Sequence, residues 1–479
     1  MNLQCFESIT VSEPALHGSS VETKILCINT AGEQNFFYLR FKYEKPLSQN
    51  QLALLRLASA MPLLNYGLFT KQIRLEWPVS KADFSMLNEF LDVFSKDIFI
   101  NKLVRKKNPY VLPQFLPAPF DVTQENARSM AKIVANGITE DVPISMEFNE
   151  NSCGVLSSGG KESLLTYAVL KEIGANVHAL YVNESGGHWR TALPAYRHFK
   201  NYSNTARVWT NVDRFYTFIL DQMRIIRKDH RKIWADTYPL RLCIFPVYVF
   251  LLLPIFAERR IGNLLIGSEF DDPRISSYYA GIHHFFGVYD QTQDFDVRME
   301  QWFSKRMPGM RQWSAVRTIS GMVVERILTS RYPEMARLQR SCHSCRFNHN
   351  DLVPCGKCSK CQGVLLFLLA NNVNPSIMGY SEADVSALPA LVAEGNLRLD
   401  EDEKNYALFL AELLPNLSHE TLHIETIHIN KSTSDLQLLP VYFRKPLLEI
   451  LMKYTKGFSA LKGESWVGAP EPSNLTKAP

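Results

Sequence analysis

The chain has 479 residues, of which 46% are apolar, 11% aromatic and 21% charged. That composition belongs to a folded globular protein and excludes a disordered one, while a net charge of +4 imposes no global field that demands nucleic acid or membrane as partner. The length suggests two or three domains.

Met1 to Gly18 carries neither a basic leader nor an apolar core, so no secretory signal is expected. The longest apolar run, Leu242 to Ala257, is interrupted by Pro246 and Pro254 and falls short of the roughly 20 residues of a spanning helix, so it reads as a buried core helix. Five of the nine cysteines fall between Cys342 and Cys361. Such clustering points to a metal site in a reducing, cytoplasmic compartment rather than a disulfide framework.

Residues 1–145 read as a separate α+β unit. Thr23 to Asn29, Asn35 to Phe41 and Ile73 to Trp77 are strand-like, and Gln51 to Leu64 is helical. Lys81 to Phe94 forms an amphipathic helix with Ser80 as its cap. Lys102 to Lys107 is a basic cluster, read as a solvated face, and Pro109 to Pro119 is an extended connector.

From residue 146 to about 340 strands and helices alternate. Strands are predicted at Gly154 to Leu156, Val177 to Asn183, Ala206 to Thr210 and Asn263 to Ile266. Between them lie helices at Lys161 to Ile173, His188 to Phe199, Val212 to Arg227 and Leu240 to Arg259. This alternation implies an α/β fold, a doubly wound parallel sheet with its ligand beyond the C-terminal strand ends. Residues 341–370 hold the cysteines, 371–466 read as a mostly helical extension, and 467–479 as a mobile tail.

The chemistry centres on Cys153 to Ser163, where an apolar strand stops at Ser157-Ser158-Gly159-Gly160 and a helix starts at Lys161. Glycines that admit an anion to the backbone, followed by a helix N-terminus, form a phosphate cradle. A P-loop is excluded because Val155 stands in place of its first glycine and Glu162 in place of its hydroxyl. No Gly-x-Gly-x-x-Gly follows the strand, and Leu156 breaks a nucleophile elbow.

Cys355, Cys358 and Cys361 at two-residue intervals, with a fourth cysteine upstream, suit tetrahedral zinc. Spacing favours Cys345 over Cys342 as the fourth ligand, and His343 and His349 are weaker alternatives. With all four positions filled the ion is structural. Cys5, Cys27, Cys153 and Cys243 read as core packing.

Ser158-Gly159-Gly160-Lys161-Glu162-Ser163 resembles the Ser-Gly-Gly-x-Asp-Ser loop of the N-type ATP pyrophosphatases, with Glu162 for the aspartate. Together with Ser344-Cys345 and Cys355-Gly356-Lys357-Cys358-Ser359-Lys360-Cys361, it is similar to the 7-cyano-7-deazaguanine synthases, over roughly Ser152 to Ala370. Thr237-Tyr238-Pro239-Leu240-Arg241 resembles that family's Pro-x-Arg-Asn, Gly267 its turn after strand four, and Asp294-Phe295-Asp296-Val297-Arg298 its Asp-Cys-Arg loop. Its Tyr-Gly-Gln after strand two is replaced by Asn183-Glu184-Ser185-Gly186-Gly187.

The resemblance implies a nucleotide alpha hydrolase-like fold and an ATP-dependent carbon–nitrogen ligase using Mg2+ and Zn2+. A deazaguanine carboxylate would be adenylated with pyrophosphate release, then attacked by a nitrogen nucleophile to give amide or nitrile. It implies that Ser157, Ser158, Gly159, Gly160, Lys161, Ser163, Asn183 and Gly267 hold ATP. Lys161, Glu162, Ser163 and Arg241 would be catalytic, with Glu162 on magnesium, and Asp294, Asp296 and Arg298 would read the purine. Residues 1–145 and the C-terminal extension exceed the family's compact enzyme, which leaves the acceptor open. A queuosine-synthase-like conjugation of the activated base to protein or nucleic acid, as in antiphage defence, is one alternative, and the basic stretch Arg224 to Lys232 would suit such a partner. An RNA-modifying pyrophosphatase and an inactive binding protein are the others.

Overall fold

The computed structural model describes residues 2–105, 108–233, 238–275, 277–342, 344–349, 351–395 and 397–472. Lys106 and Lys107 of the basic cluster, Thr237, His343 and the end of the expected tail lie outside them. One eleven-stranded sheet organises the fold. Its strands in chain order are β1 (Phe6–Val11), β2 (Ala15–His17), β3 (Ser20–Asn29), β4 (Gln34–Lys42), β5 (Thr70–Leu75), β6 (Lys132–Ala135), β7 (Asn149–Leu156), β8 (Asn176–Asn183), β9 (Ala206–Thr210), β10 (Ile261–Leu265) and β11 (Arg311–Trp313). Across the sheet they run β11-β10-β7-β8-β9-β4-β3-β1-β5-β6, with β2 paired to β3.

From β11 to β9 every neighbour is parallel. Numbered along the chain, these five strands take the order 3-2-1-4-5, and the strand order reverses at β7. In open parallel sheets the crevice at such a reversal is where ligands bind. Burial on both faces explains why β10 is apolar at three of five positions and fully enclosed.

Helices cover both faces. Leu52–Ala60 (α1) and Lys81–Ile98 (α2) are followed by Lys161–Glu172 (α3), Gly187–Phe199 (α4), Val212–Gln222 (α5), Phe245–Arg259 (α6), Gln293–Arg306 (α7), Gly321–Arg331 (α8) and Ser359–Ala370 (α9). Phe215 of α5, Phe250 of α6 and Phe295 of α7 join the core that α1 and α2 supply on one face. Leu165 of α3, Ala195 of α4, Val323 of α8 and Leu365 of α9 fill the other. No described helix is long and apolar enough to cross a membrane.

The segment 1–145, expected as a separate unit, shares this sheet and core. Its β4 pairs antiparallel with β9, setting Phe41 against Thr210 and Lys42 against Trp209. The Tyr43 hydroxyl donates to the Leu251 carbonyl at 2.8 Å, inside α6. The basic cluster is not simply a solvated face: Lys102 is buried and its Nζ donates to the Tyr238 carbonyl at 2.7 Å.

Several boundaries move for identifiable reasons. The helix expected to reach Arg227 stops at Gln222, because the chain beyond it pairs with the connector: Leu112 N–H donates to Ile225 O, and Arg227 N–H to Tyr110 O. Arg224 to Lys232 is therefore not one basic helix, and Arg231 and His230 are tied to Asp221. The helix expected from Leu240 starts at Phe245, where Asp290 accepts from the Ile244 and Phe245 amides at 2.8 and 2.9 Å. The C-terminal extension holds helices Glu382–Ala393, Glu401–Leu410 and Val441–Met452, but also a three-stranded sheet of Ile427–Ile429, Phe458–Lys462 and Ser465–Ala469. The first residues of the expected mobile tail thus form a paired strand.

Gly154 in β7 lies against the Phe256 ring of α6: a Cβ there would stand 2.7 Å from Phe256 Cε1 and 3.0 Å from Leu180 Cδ1. Gly154→Ala is expected to cost about 1–3 kcal/mol through overpacking. Urea denaturation should show a smaller loss when Phe256→Leu is already present; an equal loss in both backgrounds would dissociate the glycine from that ring.

Candidate functional site

β7 ends at Leu156 at the strand reversal, and the next residues turn tightly into α3. Ser157 N–H still donates to Leu180 O of β8 at 2.8 Å, which extends the parallel pairing into the turn. Gly159 then adopts φ +75°, and a Cβ there would sit 2.9 Å from the Thr191 carbonyl of α4. Both facts call for glycine. Gly160 is the N-cap of α3, its amide donates to Ser158 Oγ at 3.3 Å, and Ser163 Oγ donates back to Gly160 O at 3.1 Å. The turn places the α3 N-terminus, with its partial positive charge, at the sheet's C-terminal edge.

Lys161 is buried at this point. Its Nζ bonds Glu162 and, at 2.7 Å, Glu269 Oε2, and lies 5.8 Å from the centroid of Phe367. Burial pulls the ammonium pKa down, but the two carboxylates outweigh it and hold it well above the ordinary lysine value. Glu269 comes from the turn after β10, where Gly267 packs so closely on α3 that a Cβ would meet Ser163 N at 3.0 Å. Two more carboxylates surround the group. Glu403 Oε1 accepts from the Met322 amide at 2.9 Å in the first turn of α8, and Glu325 accepts from Gln339 Nε2 at 3.0 Å. Burial, with Glu269 as like charge, lifts Glu403 to about 8, and burial lifts Glu325 to about 7.

The other sequence-derived residues divide. Asn183 Oδ1 accepts from the Ser185 amide at 2.8 Å and shapes the turn after β8. Arg298 pairs with Asp294 at 3.0 Å and with Glu89 of α2 at 2.6 Å. Asp296 turns away into the core, bonded to Gln312 at 2.9 Å and Arg317 at 2.6 Å. The structure thus splits the expected purine-reading trio between a surface ion pair and a buried one.

Arg241 is buried 28 residues beyond Asp213 in the chain, with Nη1 at 3.4 Å from Asp213 Oδ1. Its guanidinium stacks 3.8 Å from the Tyr238 ring centroid and 4.5 Å from that of Tyr216. A cavity of about 540 Å³ opens there, past the C-terminal ends of β8 and β9, with Glu184 also in its wall. Sequence reasoning did not assign Glu184, Asp213, Glu269, Glu325 or Glu403 to the site. The usable signal was position, since Glu184 directly follows a parallel strand and Glu269 lies in the turn after another.

The cysteines form a second centre. The Sγ atoms of Cys342, Cys355, Cys358 and Cys361 all lie within 4.8 Å of one another. Cys355 to Cys361 is 3.8 Å and Cys358 to Cys342 is 3.6 Å. A tetrahedral ZnS4 centre with Zn–S near 2.3 Å requires S···S edges of about 3.8 Å, so the donor set fits zinc, and all nine cysteines are free. Sequence spacing favoured Cys345 as the fourth ligand; the quartet instead takes Cys342. Cys345 follows in a turn whose amide donates to Cys342 O at 3.1 Å, and its thiol lies beside that of Cys342 but outside the set of four, with the hairpin Arg346–Asn348/Asp351–Val353 starting directly after it. His349 is exposed on the hairpin. Gly356, at φ +75°, supplies the knuckle, pressed against Asp384.

This centre touches the loop. Arg340 N–H, two residues before Cys342, donates to Gly159 O at 2.9 Å, and α9, which carries Cys361 near its start, also carries Phe367 beside Lys161. No protein-family model, curated protein or solved structure matches the chain.

Purified protein should carry one zinc. Its removal by a chelator, or Cys342→Ser, should lower the melting temperature by several degrees, whereas Cys345→Ser should retain the metal by elemental analysis; loss of zinc in Cys345→Ser alone would reverse the ligand assignment. The buried acids set a pH dependence. Unfolded, Glu325 and Glu403 release protons near pH 4.5; folded, they keep them to about 7 and 8. Stability must therefore fall as pH rises through that window. Glu325→Gln should gain on wild type by roughly 3 kcal/mol between pH 5 and 8, read from melts across pH; a difference constant with pH would exclude the buried proton.

Proposed function

We propose that the chain is an ATP-dependent carbon–nitrogen ligase that adenylates the carboxylate of a 7-carboxy-7-deazaguanine-like base, releasing pyrophosphate. The observation that carries this reading is the Ser158–Ser163 turn at the end of the central parallel strand, where the strand order reverses. The serine hydroxyls, the glycine backbone and the α3 amides are the donor types a departing pyrophosphate needs. The 3-2-1-4-5 parallel order with helices on both faces supports a nucleotide alpha hydrolase-like architecture.

A carboxylate oxygen of the base attacks the α-phosphorus, the α–β bridging bond breaks, and the acyl adenylate is left for a nitrogen nucleophile that expels AMP. The loop's own share is to hold the leaving group. Lys161 stays protonated between Glu162 and Glu269, so it serves as a fixed cation and not as a proton donor. Glu162 and Glu269 face one ammonium while Glu325 and Glu403 keep their protons, which leaves a net negative charge, and that donor set suits Mg2+ on Glu162 and Glu269, which would neutralise phosphate charge. Zinc on the thiolate quartet has no open position and supports the loop structurally.

The test is direct. Full-length protein with ATP and 7-carboxy-7-deazaguanine should release pyrophosphate and AMP only when both are present, and Lys161→Ala should slow release about 100-fold. Absence of base-dependent pyrophosphate would overturn the reading. A mass increment on a co-purified protein in the same assay would identify a macromolecular acceptor in place of ammonia.

A further inference from the structure

The cavity beyond β8 and β9 lies outside the pyrophosphate loop and contains polar groups with nothing to bind. Glu184 is wholly enclosed with the Tyr248 hydroxyl beside it, yet among the described residues neither carboxylate oxygen completes a well-formed hydrogen bond. Arg241 Nη2 likewise completes none, although the Tyr216 hydroxyl lies beside the guanidinium. Leaving such atoms unsatisfied costs about 1–3 kcal/mol each, more when charged. His188 Nε2 stands 3.8 Å from Glu184 Oε1, too far to satisfy it. Burial and the nearby Asp213 push Glu184 up to about 7, and N–H donors on a ligand would draw it back toward the ordinary carboxylate range.

The arrangement is specific. Glu184 offers acceptors, Arg241 offers a donor, and both line one cavity whose walls include the rings of Tyr66, Tyr110, Tyr216 and Tyr238. The complementary ligand is flat and aromatic, with adjacent N–H groups to face the carboxylate and a carbonyl oxygen to face the guanidinium. A lone metal cation is disfavoured by Arg241, and a simple anion by Glu184 and Asp213. About 540 Å³ is ample for a bicyclic base. We infer that this cavity is a base-recognition site for a heterocycle with a guanine-type edge, in which Glu184 accepts from the ring N–H and exocyclic amino group and Arg241 donates to the carbonyl oxygen.

The site deepens the adenylating reading, on which it rests for the nature of the substrate, and it moves base recognition away from Asp294, Asp296 and Arg298. Asp213 reaches Arg241 from the first turn of α5 and also lies beside Gly186 at the start of α4. Tyr66 and Tyr110 come from the first 145 residues, so the long N-terminal segment supplies part of the wall.

Calorimetric titration of the full chain with 7-deazaguanine and with 7-deazaadenine tests the assignment. The expected result is at least roughly tenfold tighter binding of 7-deazaguanine, because the adenine-type edge leaves Glu184 and Arg241 mismatched. Glu184→Gln, nearly isosteric, should weaken 7-deazaguanine by roughly tenfold or more with little change in affinity for ATP. Should that variant fail to fold, the wild-type preference between the two bases still decides. Equal binding of the bases, a preference for 7-deazaadenine, or a folded Glu184→Gln with unchanged affinity would overturn it. Base-dependent pyrophosphate release with an unaltered KM in Glu184→Gln would spare the adenylating reading and remove the pocket assignment. Base discrimination without pyrophosphate release would do the reverse.

Discussion

The Lys161–Glu269 contact at 2.7 Å is the interaction on which the candidate site depends. It joins the start of α3, which follows the first parallel strand, to the turn after the fourth. Desolvating an ammonium and a carboxylate costs several kcal/mol per ion, so such a pair persists only where packing and further hydrogen bonds hold it. Here Gly267 lies against α3, and Glu269 rests on Gly321 at the α8 N-terminus. The pair therefore fixes three elements to one point without lending much net stability. What it contributes is position: a buried cation whose surroundings are already overcharged with carboxylates.

The thiolate quartet acts on that point through the backbone. Arg340 N–H on Gly159 O couples the cysteine segment to the glycine that gives the loop its left-handed turn. A metal held by Cys342, Cys355, Cys358 and Cys361 thus constrains a loop that contains none of its ligands. This gives a physical reason for two motifs nearly two hundred residues apart to occur in one protein. Small rearrangements of the knuckle would be felt as a change in the Gly159 carbonyl's direction.

Much of the sheet could be read from pattern. Val177–Asn183 and Ala206–Thr210 are legible because enclosed strands are short apolar runs bounded by turns, and the loop was legible because its glycines have few other uses. The N-terminal β1 and the three-residue β11 were not legible. Phe6–Val11 is half polar in sequence although it pairs on both sides, and Arg311–Trp313 is too short to show a period. Long-range pairing defeated the rest: nothing local tells that Asn65 meets Cys243, or that residues 110–112 terminate a helix at Gln222. Cys342 was displaced by spacing logic because the intervening hairpin lengthens the path without separating its ends. Asp294 and Asp296 differ by two residues on one helix, which sends one to solvent and the other to the core.

The antiparallel junction of β4 with β9 has a bearing on how the chain comes to be made. Synthesis proceeds from the N-terminus, and domains usually fold as they emerge. Here the first strands are released with an open edge at β4 and with the core that α6 later fills still exposed. They wait for more than a hundred further residues before β9 and α6 arrive. Contacts such as Tyr43 with Leu251, 208 positions apart, make this a slow topology with a long interval of uncovered apolar surface. Apolar surface left uncovered in this way favours aggregation of the incomplete chain until β9 and α6 close over it.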